Sequence, residues 1–206
     1  MHDAKVARLD HGRLFEVASE QGGYFTAAQA RECGVSRPLL THHSRAGGRF
    51  VRVRHGLYRI REYPSSPRED VIAAWLTVGR DVAVVSHESA LDVLDLSDVV
   101  PDAVHLTVPR SRRYRRRTPG VVIHTTVRPW RPADVVVRDG IRVTSAERSI
   151  VDTAETGTAP DQIFAAATQA VERGLTTESR LVAAARERGG RVEHLIRRAL
   201  EQHPGT

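Results

Sequence analysis

The sequence predicts an α+β chain of two domains, on three observations. Residues 26–60 read as two short capped helices followed by a basic hairpin. Residues 82–144 alternate β-branched runs with one short helix, and the chain beyond Gly157 carries helical spacing only. A length of 206 residues suffices for two small cores. The proline and serine content of Tyr63-Pro64-Ser65-Ser66-Pro67 suits a linker, so the expected domains are 1–62 and 63–206.

In chain order, Val6, Leu9, Leu14, Val17 and Ala18 space an amphipathic helix from Lys5 to Ser19, ending before Gly22-Gly23. Thr26 and Gln29 form a capping box for the next helix, which Gly34 closes. Ser36 caps the helix after it, and Pro38 is tolerated because the first turn needs no N–H there. Gly47-Gly48 stops that helix, and FVRV and LYRI then flank Arg54-His55-Gly56 as a hairpin.

The second domain opens with Ser66, Pro67 and Glu69 as a capping box, followed by Val71, Ile72, Trp75 and Leu76 at helical spacing. VAVV, a Ser86-capped helix with Leu91 and Leu94, the strands AVHLTVP and GVVIHTTV, and a hairpin across Arg138-Asp139-Gly140 come next. Thr144 and Glu147 cap a helix through Ile150, Val151 and Ala154. Three helices follow, centred on Ile163 to Val171, Leu181 to Ala185 and Leu195 to Leu200, with Gly174 and Gly189-Gly190 between them.

Two helices and a basic hairpin in that order are the parts of a winged helix-turn-helix, a shape that enters a DNA groove. On the helix begun at Ser36, positions 37, 41, 42 and 45 share one side. Arg37, Thr41, His42 and Arg45 are therefore groove-facing candidates, while Leu39, Leu40 and Ala46 pack inward and His43 sits half-buried, hydrogen-bonded to backbone. In the hairpin, alternation sends Phe50, Leu57 and Ile60 away from Arg49, Arg52 and Arg59, with Arg54 and His55 at the tip. The candidate DNA contacts are Thr26, Ser36, Arg37, Thr41, His42, Arg45, Arg49, Arg52, Arg54 and His55. The competing reading is a small helical domain with a solvated basic hairpin.

Composition points the same way. The net charge of +6 and isoelectric point near 10.3 favour polyanionic partners, and Lys5 is the only lysine, so the positive charge is almost wholly arginine. Cys33 is alone, which excludes an internal disulfide and a cysteine-based zinc site within one chain. With no leader and no apolar run of membrane-spanning length, the expectation is a cytoplasmic protein without a membrane partner. His87, Glu88, Asp92, Asp95 and Asp98 carry metal-binding and acid–base side chains, but on a helix capped by Ser86 they read as first-turn and solvent-facing positions. No phosphate loop, nucleophile elbow or HExxH helix is present, so no enzyme activity, catalytic residue, metal or cofactor is expected.

Arg110, Arg112, Arg113, Arg115, Arg116 and Arg117 surround Tyr114 between Pro109 and Pro119. So many like charges resist burial, and the run reads as a loop for an anion or a partner: DNA backbone, RNA or an acidic protein face.

GVSR, GRFVRVRHGLYRI, SHESAL, HLTVP and GIRVTSAERSIVD, in that order, resemble the AbiEi family of antitoxins from about Phe15 to Ala154. The resemblance implies a winged helix-turn-helix that represses its own operon by binding inverted-repeat promoter DNA. It also implies a C-terminal domain that counters a nucleotidyltransferase-like toxin, AbiEii. By position, Ser36, Arg37, Thr41, His42 and Arg45 match the recognition helix, and Arg52, Arg54 and His55 the wing. Palindromic sites would take two copies of the domain, as a dimer on DNA or loaded side by side. Some AbiEi-like proteins carry a lysine-dependent nuclease-like part, for which this chain lacks the lysine. The alternative reading is a solitary winged-helix regulator whose C-terminal domain binds a ligand or a protein.

Overall fold

A computed structural model describes residues 10–112 and 118–201, and the chain divides into two compact units, Met1–Arg80 and Asp81–Thr206. The architecture is α+β, as expected.

The first unit runs α1 (His11–Ser19), β1 (Tyr24–Thr26), α2 (Ala27–Glu32), α3 (Arg37–His43), β2 (Phe50–Arg54), β3 (Leu57–Ile60) and α4 (Glu69–Val78). Asp10 caps α1 by accepting from Arg13 N at 2.8 Å, which starts this helix at His11, while Lys5, Val6 and Leu9 of the expected helix lie outside the described residues. The Thr26–Gln29 capping box of α2 forms as expected. β1 has no alternation long enough to be read in sequence; it pairs with β3 to give an antiparallel sheet of order β1-β3-β2. Leu14, Ala18, Phe25, Ala30, Val35, Leu40 and Phe50 form the core, with Phe25 edge-on to Phe50 at 4.9 Å.

This unit extends past the expected boundary at 62. Glu69, at the start of α4, accepts from Tyr24 Oη (3.1 Å) and pairs with Arg59 (3.0 Å), whose guanidinium also lies over the Tyr24 ring. Burial would raise the Glu69 carboxyl, but the Ser66 N–H, the Tyr24 hydroxyl and Arg59 outweigh it and hold it below the ordinary range. Burial, reinforced by Glu69, pushes Tyr24 up to about 12. The proline-rich link is thus a tight connection inside one core. Its capping box is half formed, since Glu69 reaches back to Ser66 N while Ser66 Oγ caps Arg68 N. Gly23 has φ +84°, and a Cβ there would collide with the Tyr63 ring, so glycine is required where the link crosses.

The second unit contains β4 (Val84–Val85), α5 (His87–Val93), β5 (Val104–Pro109), β6 (Val121–Thr126), β7 (Val135–Arg138), β8 (Ile141–Thr144), α6 (Ala146–Thr156), α7 (Pro160–Glu172), α8 (Glu178–Arg186) and α9 (Gly190–Glu201). Its mixed sheet has the order β6-β5-β4-β8-β7, with β5–β6 and β4–β8 parallel. Asp139 and Gly140, both at positive φ, make the two-residue β7–β8 turn that the sequence announces. The cap of α6 is Ser145, one residue beyond expectation, because the Thr144 hydroxyl is held by Ser149 at 2.7 Å. Glu147 instead pairs with Arg180 at 2.7 Å. Among the described residues no helix is long and apolar enough to cross a membrane.

Candidate nucleic-acid interface

The two helices and hairpin exist, and the structure sorts their polar residues. Ser36 Oγ accepts from Leu39 N and caps α3, and Thr41 Oγ1 donates back to Arg37 O at 2.9 Å. Thr26 Oγ1 accepts from Gln29 N. All three hydroxyls therefore first serve their own helices, leaving the reach outward to the long side chains.

α3 is shorter than expected. It ends at His43, with Ser44 Oγ donating to Leu40 O at 2.6 Å, so Arg45 stands in the turn after the helix and Ala46 is exposed instead of packed inward. Arg37, Thr41, His42 and Arg45 are exposed all the same, with Leu40 buried beneath them. His43 is half-buried against rings instead of backbone: Phe50 at 5.7 Å and His11 at 6.3 Å. Burial, followed by the charges of His42 and Arg49, holds its pKa below the ordinary value. At the next turn a Cβ on Gly48 would collide with the His43 carbonyl, so glycine is what lets the hairpin start this close to α3.

In the hairpin the alternation breaks. The register slips between Arg52 and Arg54, and Val51, Arg52 and Val53 are all exposed while Phe50 is buried. Arg59 does not share the face of Arg49 and Arg52; it turns to Glu69, Tyr63 O and Pro64 O. At the tip, Arg52 Nη2 donates to His55 Nδ1 at 3.2 Å, and Gly56 O accepts from Ala27 N, tying the wing to the start of α2. Arg54 is half-buried, and its Nη1 has no hydrogen-bond partner. Between Ser36 and Arg61 the chain has seven arginines, three histidines and no carboxylate. Among the described residues, Arg37, Arg45, Arg49, Arg52 and Arg54 have no acidic partner.

Residues 13–61 match the family described as transcriptional regulator, AbiEi antitoxin. The chain carries an AbiEi-family regulator domain. The AbiEi match begins within α1 and ends just past β3, so it takes in both helices and the wing. This is a family of DNA-binding regulators and not of enzymes. No curated protein matches the chain. The crystal structure of the RV2827C protein from Mycobacterium tuberculosis resembles it in fold, with TM-score 0.55 over 92% of this chain and 75% of that one, at 16% identity.

In the second unit, Arg110 and Arg112 are exposed in a short 3-10 turn after β5. Arg113, Arg115, Arg116 and Arg117 of the arginine run lie outside the described residues. Sequence reasoning passed over one grouping there: His87, which reads as a first-turn residue, lies beside His105 and His124. The signal was faint, since each histidine stands alone in its own segment and only the parallel β5–β6 pairing brings two of them together.

Proposed function

We propose that the chain is the antitoxin of a bacterial toxin–antitoxin pair, in which the first unit represses the operon and the second restrains a nucleotidyltransferase-like toxin. The observation that carries the repressor role is the acid-free stretch from Ser36 to Arg61 within an AbiEi domain. Arg37, His42 and Arg45 are the base-reading candidates, because a guanidinium pairs bidentately with guanine. Arg49, Arg52, Arg54 and His55 are the backbone and minor-groove candidates, and none of the three arginines has an acidic partner among the described residues. Thr26 and Ser36, at helix starts, can still donate a hydroxyl proton to a phosphate. An inverted repeat would be read by two copies.

A mobility-shift titration with the chain's own upstream DNA tests the repressor role. A preference over scrambled DNA that Arg37→Ala with Arg45→Ala removes is expected; equal binding to both sequences contradicts it. For the antitoxin role, co-expression of the full chain carrying those two substitutions should still rescue cells from the toxin, and loss of rescue would contradict the division of labour. The confinement of the family match to residues 13–61 favours a second reading, a regulator whose second unit takes a ligand or another protein. A nucleotidyltransferase-like gene immediately downstream supports the first reading, and its absence the second.

A further inference from the structure

Three histidines distant in sequence meet in the second unit. His87 opens α5, His105 lies on β5 and His124 on β6, and one ring nitrogen of each falls within 4.8 Å of the others. His124 Nε2 and His105 Nδ1 are 3.2 Å apart with ring centres at 5.2 Å, and the centres of His87 and His105 are 5.9 Å apart. Two imidazoles on one tetrahedral zinc ion, at metal–nitrogen distances of about 2.0–2.1 Å, place their nitrogens about 3.3 Å and their ring centres about 5 Å apart. Two of the three spans are therefore already close to those of a metal centre. On the third, His87 stacks on His124 at 3.6 Å, so coordination requires the His87 ring to turn off its neighbour.

We propose that His87, His105 and His124 form a three-nitrogen site for a late first-row divalent metal ion, Zn²⁺ foremost. Imidazole is the donor these ions accept, and three protein ligands leave a fourth position for water or a partner's donor. The surroundings suit this use. Burial first, and then neighbouring positive charge, holds His87 down to about 2 and His124 to about 4, and burial also lowers His105. All three rings are therefore neutral near pH 7 with a lone pair to give.

His87 Nδ1 lies 3.0 Å from Ser86 Oγ, which itself accepts from Thr107 Oγ1 at 2.8 Å, the kind of outer contact that fixes a ligand's tautomer. His87 also has φ +55°, a backbone outlier of the kind that gathers at functional sites. Of the nearby charges, Glu88 favours a cation beside His105, while Arg148 and Arg188 oppose one at His87 but are themselves paired with Asp152. On coordination the ion replaces the His105–His124 hydrogen bond, and each ring keeps its proton on the nitrogen facing away.

The test uses the untagged full chain, stripped with a chelator and titrated calorimetrically with Zn²⁺, and with Co²⁺ for its visible absorption. One ion per chain, a tetrahedral cobalt spectrum and an X-ray absorption shell of three imidazole nitrogens in the zinc-loaded protein are expected. Ser86→Ala should weaken binding roughly 10–100-fold. His105→Gln and His124→Gln should each abolish it, and His194→Gln, at an exposed position of α9, should leave it unchanged. No bound ion, or one ion retained in both strand variants, overturns the proposal and leaves a hydrogen-bonded imidazole cluster. Should those variants fail to fold, the X-ray absorption spectrum of the natural chain decides alone, and a zinc shell without imidazole overturns it.

Discussion

Arg37, Arg45 and Arg49 in the first unit stand exposed without a carboxylate partner among the described residues, whereas in the second Arg131, Arg138, Arg148, Arg180, Arg188 and Arg197 each hold one. Formal charge divides the same way: residues 1–80 have 13 basic and 8 acidic side chains, net +5, and residues 81–206 have 18 and 17, net +1. The same residue type thus does two jobs. A paired arginine is part of the fold, and an unpaired one keeps its charge and its donors for a phosphate or a base edge.

Removing one arginine of each kind separates the two jobs, and the largest effect on stability belongs to the paired kind. Asp152 is buried between Arg148 and Arg188, and burial raises its carboxyl despite both guanidinium groups. Arg188→Ala leaves that charge with half its compensation and is expected to cost about 3 kcal/mol in chemical denaturation, with DNA binding by the folded fraction unchanged. A cost under about 0.5 kcal/mol would show the pairing to be ornamental.

Gly48→Ala comes next. The collision with the His43 carbonyl forces a backbone shift worth about 1–3 kcal/mol, visible as a lower midpoint for the first unit and weaker DNA binding, since the wing moves relative to α3.

Acid should then distinguish the units. The clustered His87, His105 and His124 have folded pKa values below their ordinary 6.5, so the unfolded chain binds more protons. Their neutral rings cost nothing above pH 6.5, and stability falls as pH drops below it, down to about 4 for His124 and about 2 for His87, at up to about 1.4 kcal/mol per pH unit for each one that protonates on unfolding. Metal-free protein followed by hydrogen exchange should open first in α5, β5 and β6; uniform opening of both units would break the contrast. The smallest stability change is expected for Arg45→Ala, within about 0.5 kcal/mol by thermal melt, because its side chain has no carboxylate partner to give up.

Most of the first unit was legible because local rules write it: Thr26 with Gln29, Ser36 before Pro38, and the glycines at 34, 47 and 56 each act within a few residues. The end of α3 was not, since a single Ser44-to-Leu40 hydrogen bond and the crowding at Gly48 stop it short of the glycines. Nor was the boundary, which the long-range Tyr24–Glu69–Arg59 contact moves to Arg80. The inward turn of Arg59 and the meeting of His87, His105 and His124 are likewise tertiary facts, set by α4 and by strand pairing and not by periodicity.

Salt dependence tests the division most directly. Fluorescence anisotropy of labelled promoter DNA, titrated with the natural chain and with Arg37→Ala/Arg45→Ala across a range of salt concentrations, gives the slope of log affinity against log salt. Every phosphate that the variant no longer neutralises lowers the magnitude of that slope by about 0.9. The double variant should bind more weakly with a shallower slope, or, where the two residues read bases, lose its preference over scrambled DNA at constant slope, while Arg188→Ala matches the natural chain. Unchanged affinity, slope and preference in the double variant would contradict the account.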